Sequence, residues 1–100
     1  MPFLNDTSHL FVIDLSYKVK LEQIEPHLEC HRSFLDQHYA AGHFLASGAK
    51  VPRDGSVILA TASSKAAVQN FIEQDPFHIH QLADYTITEF VPSKAADCLK

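Results

Sequence analysis

The chain of 100 residues contains no run of about 20 apolar residues, so no membrane-spanning helix is expected. Basic residues are few. Eight Lys and Arg stand against twelve Asp and Glu, for a formal net charge of -4, and none of the eight form a cluster. That balance argues against a nucleic-acid partner. There is no glycine-rich phosphate loop, so no organic cofactor is expected. The two cysteines, Cys30 and Cys98, lie far apart and make neither a metal motif nor a disulfide framework. The opening stretch MPFLNDTSH has no basic region followed by a long apolar core. No signal peptide is therefore expected, and the thiols read as reduced ones in a cytoplasmic protein. No internal repeat or low-complexity segment interrupts the chain. Its length suits one domain, residues 1–100 with a core over about 9–91.

What is present is a regular alternation of patterns. Residues 1–8 read as a loose lead-in. From His9, Phe11, Ile13, Leu15, Tyr17 and Val19 fall on one face, and Leu10, Val12, Asp14, Ser16 and Lys18 on the other, which is strand periodicity. Leu21 to Ile24 read as a turn. Pro26 suits a first helical turn, where its missing N–H costs little. The helix then runs to about Ala41 with Ile24, Leu28, His31, Leu35 and His38 along its inner stripe. Gly42 stands where a left-handed cap is wanted. A short strand, His43 to Ser47, leads to a loop that opens at Gly48 and carries Pro52 and the Asp54-Gly55 turn signal. Ser56 to Ala62 is apolar on both faces and reads as a central strand.

A second helix, capped by Ser63 or Ser64, carries Ala67 or Val68, then Phe71, Ile72 and Asp75 inward before Pro76 stops it. Residues 77–81 read as a connector, Ala83 to Val91 as a last strand, and the residues after Pro92 as a mobile tail. The order is βαββαβ. The expected fold is α+β and ferredoxin-like, a four-stranded antiparallel sheet with two helices on one face. The other face is too apolar for open water. A homodimer packing sheet against sheet would bury it.

The candidate chemistry centres on His31 and Asp75. Both point inward, from helices that cross the same sheet face, so contact between them is geometrically reasonable. A carboxylate there would set the imidazole tautomer and leave the other nitrogen as a general acid or base. Bland readings stand beside this one. His31 reads equally well as a core histidine held by one hydrogen bond, and Asp75 as an Asp-Pro turn initiator at a helix C-terminus. Asp36 is turned about 140° from His31 and is a poorer partner. His27 and His31 are four apart, but no Glu of an HExxH pattern and no third ligand accompany them, so no metal is expected. His78 and His80 read as parts of a polar connector. Cys30 diverges from His31 by about 100° and does not form a Cys-His pair with it. Ser47 and Gly48, at a strand end, are candidates for close approach to a ligand, Arg53 for an anionic substrate, and Phe77 for a pocket wall. A tight turn, a solvated arginine and a core plug are the corresponding simpler readings.

Residues 31–48 read HRSFLDQHYAAGHFLASG, followed by KVPRDGSVILA and later by a helix ending in EQDPF. The inner-helix His, the AAG turn, the Ser-Gly strand end and the DPF helix stop together resemble the YciI-like family over most of residues 9–91. The resemblance implies a ferredoxin-like fold and a dimeric α+β barrel. It also implies a His–Asp pair in a cleft, which maps onto His31 and Asp75. The family's spacing from the His to the helix-ending Gly fits His31 to Gly42 and not His27. One departure is Ala49, where a Pro usually follows the Gly. Some members resemble enzymes that eliminate chloride from chlorinated aromatic intermediates, and the wider superfamily includes muconolactone isomerases. The expectation is a small cytoplasmic homodimer that performs elimination or isomerisation on a cyclic or chlorinated aromatic-derived small molecule. The competing reading is a non-catalytic module whose cleft binds a small ligand or only stabilises the dimer.

Overall fold

A computed structural model describes residues 9–99. The lead-in expected over residues 1–8 lies outside them. The elements run β1 (His9–Tyr17), α1 (Leu21–Ile24), a 3-10 turn (Glu25–His27), α2 (Leu28–Ala40), β2 (Phe44–Ala49), β3 (Gly55–Ala62), α3 (Lys65–Glu73), α4 (Pro76–Ile79) and β4 (Ala83–Phe90), with a final 3-10 turn at Asp97–Leu99. The four strands form one sheet in the order β2-β3-β1-β4, each pair antiparallel. This is the ferredoxin-like arrangement of two interleaved split βαβ units.

Strand register decides which side chains face the helices. Ile13 of β1 lies between Ile58 of β3 and Ile87 of β4. Two residues on, Leu15 lies between Ser56 and Tyr85. With a period of two, Phe11, Ile13 and Leu15 share one face, and all three are buried beneath the helices with Phe34, Val68 and Phe77. Burying each such large side chain contributes roughly 1.5–3 kcal/mol.

Three boundaries differ from the sequence expectation, and each has a local cause. Residues 21–24 form a helical turn, and Pro26, which has no N–H to donate, tightens the chain into a 3-10 turn before α2 begins. The second helix stops at Glu73. Pro76 disfavours helical angles at the residue before it, so Asp75 is extended (φ -73°, ψ 125°) and Pro76 opens α4 where a connector was expected. Strand β2 continues through Gly48 to Ala49, and the loop is correspondingly shorter.

Two glycines do specific work. Gly42 (φ +81°) ends α2 in a Schellman motif, with its N–H bonded to the Tyr39 carbonyl and the His43 N–H to the His38 carbonyl. A Cβ on Gly55 would lie 1.9 Å from the Leu15 carbonyl oxygen, so only glycine permits that close approach at the start of β3. Ser64 caps α3 by accepting the Ala67 N–H at 3.1 Å.

Candidate active site

The inner stripe of α2 brings His31 down beside the α3–α4 junction. Its Nδ1 lies 2.8 Å from Asp75 Oδ1. Asp75 is fully buried, and its carboxylate is held from three directions. Oδ1 also accepts the Phe77 N–H at 3.0 Å, and Oδ2 accepts the Tyr85 hydroxyl at 2.6 Å. Asp75 was expected to oppose a helix dipole at the end of α3. It is instead the N-cap of α4, where an oxygen acceptor satisfies an otherwise orphaned N–H.

The pairing sets the imidazole's tautomer. A carboxylate only accepts, so the neutral ring carries its proton on Nδ1 and keeps a lone pair on Nε2. Phe77 stacks on the ring, with centroids 4.0 Å apart and planes 6° from parallel. Tyr17 meets Phe77 edge-on at 5.8 Å. Phe77, a candidate pocket wall or core plug, is 1% exposed and supports the imidazole from within the core. Burial, then the neighbouring Asp75 charge, hold the Tyr85 hydroxyl protonated far above the ordinary phenol range. It therefore acts as a donor.

Nε2 has no protein partner among the described residues, and His31 lines a cleft of about 290 Å³. Tyr17, Leu28, Leu35 and Ile58 supply its apolar surface, while Arg32, Arg53, Ser47 and Ser56 supply polar groups. Gly48 and Ala49 complete the β2 side. Four of the sequence candidates, His31, Ser47, Gly48 and Arg53, thus border one cleft. The Ser47 hydroxyl is hydrogen-bonded to that of Tyr39 at 2.8 Å.

Three residues were missed by sequence reasoning: Tyr85, Ser56 and Arg32. Tyr85 was visible only as an inward strand residue. Ser56 follows a turn glycine, and Arg32 follows the candidate His directly. None of these signals is specific.

A second histidine group lies further along α2. His38 Nε2 donates to Gln74 Oε1 at 3.0 Å, and the Nδ1 atoms of His38 and His43 share a hydrogen bond at 2.9 Å. Phe34, Phe44 and Phe71 surround the His38 ring. Burial lowers the His38 pKa from its ordinary value of 6.5, and His43 lowers it further, against the raising effect of the Gln74 bond. His27 stacks on His80 with centroids 4.4 Å apart. Among the described residues, no three His, Cys, Asp or Glu side chains converge as metal ligands. No helix among them is long and apolar enough to cross a membrane.

The profile of the YCII-related domain family matches residues 10–91. The chain belongs to that family. Solved structures resemble it in fold. One is a 5-chloro-2-hydroxyhydroquinone dehydrochlorinase from Burkholderia phenoliruptrix, in complex with 2,5-dihydroxybenzoquinone. It matches at 21% identity with a TM-score of 0.69, over 79% of this chain and 90% of that one. Another is SnoaB, a cofactor-independent oxygenase from Streptomyces nogalater, at 14% identity and a TM-score of 0.51, over 91% of this chain and 98% of that one. A search of the curated proteins found no match. At these identities the likeness carries the fold, that of the dimeric α+β barrel proteins, and leaves the reaction to be argued from the site.

Proposed function

We propose that this YCII-related protein is a small-molecule enzyme in which His31 Nε2 moves a proton and Asp75 orients the imidazole and stabilises its charged form. The observation that supports this most is the division of labour on one ring. Nδ1 is committed to a buried carboxylate, while Nε2 is unpartnered on a cleft with apolar walls. A fully packed His31 with both nitrogens satisfied would instead favour the structural reading.

The reaction class is elimination or isomerisation on a cyclic, chlorinated or lactone-type compound. In elimination, Nε2 takes a proton from the substrate as chloride leaves with its bonding pair. In isomerisation, the same nitrogen returns the proton to a different carbon. The dehydrochlorinase resembling this chain in fold supports that class, since its bound ligand is a single-ring compound.

The same reading makes the working form a homodimer. The sheet face away from the helices carries Val12, Val57 and Leu59, with Phe90 41% exposed at its edge. Sheet-to-sheet packing would cover it.

The test is chloride release and lactone isomerisation assayed with the wild type and His31→Asn. The asparagine amide keeps a donor for Asp75 and removes the base. Loss of turnover in a folded variant supports the proposal, and unchanged turnover rejects it. The ¹⁵N shifts of the His31 ring provide an independent check, because a neutral ring protonated on Nε2 contradicts the assignment.

A further inference from the structure

We infer that the His31 cleft is built for an anionic ring, one bearing a carboxylate or an ionised phenol or enol. The inference deepens the proposed acid–base function and rests on it for the identity of the reacting site.

Among the described residues, two arginines border the cleft and no carboxylate does. Arg32 borders it from α2 and Arg53 from the loop between β2 and β3, so the two arginines belong to different walls. This runs against the chain's overall charge of -4. Both arginines are uncommitted. The four ion pairs among the described residues use His9, Lys18, His31 and Lys50 as their cationic members, and neither arginine is in one. An arginine fork left open beside a cleft matches the two oxygens of a carboxylate.

A third feature comes from the sheet. Ser56 lines the cleft, and its Oγ is shielded from solvent with no hydrogen-bond partner among the described residues. A buried polar atom without a partner calls for an explanation. A ligand oxygen in the cleft that Ser56 lines would supply the missing partner by accepting from this hydroxyl. The apolar side chains of Tyr17, Leu28, Leu35 and Ile58 would take the ring itself. The acidic group would then sit toward Arg32 and Arg53, with the ring carbons left to His31 Nε2.

The larger cleft beyond Tyr85 provides an internal contrast. It measures about 410 Å³, and its cation, Lys18, is paired with Asp84 at 3.4 Å while Glu73 adds a further negative charge. That cleft offers no net attraction to an anion.

Benzoate and benzamide are the probes, alike in shape and different in charge. Each is titrated onto the full chain and followed by NMR of the arginine Nε–H groups and the His31 ring. Benzoate should saturate with shifts at Arg32, Arg53 and His31, and bind at least tenfold more tightly than benzamide. Its affinity should fall as salt is added. Arg32→Gln and Arg53→Gln should each weaken benzoate and leave benzamide unchanged, and Ser56→Ala should weaken benzoate. Equal affinity for the two probes, or benzoate shifts confined to Lys18 and His78, would overturn the inference. The two proposals fail separately. If benzoate binds as expected while His31→Asn leaves turnover intact, the anion site stands and the acid–base reading falls. If turnover depends on His31 while the probes bind alike, the anion site falls.

Discussion

Tyr85 donates its hydroxyl to Asp75 Oδ2 at 2.6 Å, on the carboxylate oxygen that His31 leaves open. The two donors come from elements far apart in the chain, His31 from α2 and Tyr85 from β4. Between them, and with the Phe77 N–H as the third donor, they remove the carboxylate's freedom to rotate. An imidazole that must hold one tautomer needs a partner that does not turn, and β4 supplies the brace.

Tyr85→Phe tests the brace. The ring's packing is kept, and one oxygen of a buried carboxylate loses its donor. Stability should fall by about 1–3 kcal/mol, read from urea unfolding. The His31 tautomer should become mixed in its ¹⁵N shifts as the carboxylate gains freedom. An unchanged midpoint together with a single retained tautomer would show that Tyr85 merely fills space.

Asp75→Asn separates fold from chemistry. The amide can still accept from the Phe77 N–H through its oxygen, so α4 keeps its cap. Its NH₂ group then stands at the Oδ2 position, where the Tyr85 hydroxyl must turn from donor to acceptor, and the charge facing His31 is lost. If the general acid–base reading holds, turnover should drop by about 10²–10⁴. Asp75→Ala removes the cap and the acceptor together and should destabilise by about 3 kcal/mol or more. An Asp75→Asn variant with wild-type turnover would remove the carboxylate from the mechanism.

Asp75 lies past the end of α3, where helical periodicity does not reach, whereas the inward face of His31 was legible because that periodicity says which way a side chain points without any tertiary information. The support around the pair was not. Tyr85 meets Asp75 because β4 pairs with β1 in the register that aligns Tyr85 with Leu15, and pairing register between distant strands leaves no local trace. Ser56 joins the cleft through the same row of the sheet, opposite Leu15 on β3. The place of Phe77 follows from Pro76. A proline taken as a helix stop also opens a new helix, and that turn carries Phe77 inward onto the imidazole. The order of the strands and their single sheet were within reach, because alternation, turn signals and short connections leave few topologies to choose from.

Ser56→Ala should raise stability while lowering affinity for an anionic ligand. Its hydroxyl has no partner among the described residues, so removing it eliminates an uncompensated desolvation cost. A gain of about 1 kcal/mol in urea unfolding is expected. Loss of stability would mean that the hydroxyl is satisfied in solution.

Acidification should destabilise the protein through His38. Burial holds its folded pKa below the ordinary value of 6.5, which the unfolded chain approaches. Above about pH 6.5 neither state binds the proton, and the full stability is present. Below it the unfolded state takes the proton first, so stability falls as the pH drops toward and through the folded pKa. His38→Phe, placed among Phe34, Phe44 and Phe71, should flatten the slope of stability against pH between 7 and 5 relative to the wild type. Parallel slopes would assign the acid sensitivity to other groups.

Val57→Asp tests the second face of the sheet. Val57 lies in a shallow depression with Leu59, Ala46 and Gly48, on the side opposite the helices. In an isolated chain the new carboxylate would remain largely hydrated, and substitutions of that kind usually change stability by within about 0.5 kcal/mol. In a sheet-to-sheet dimer it would be carried into an apolar interface with a symmetry-related copy of itself, so two like charges would be desolvated together. Sedimentation at micromolar concentration should therefore give a dimer for the wild type and a monomer for the variant, with the His31 ring shifts unchanged if the cleft is complete within one chain. A wild type that sediments as a monomer would remove the dimer and leave Val12, Val57 and Leu59 needing another cover.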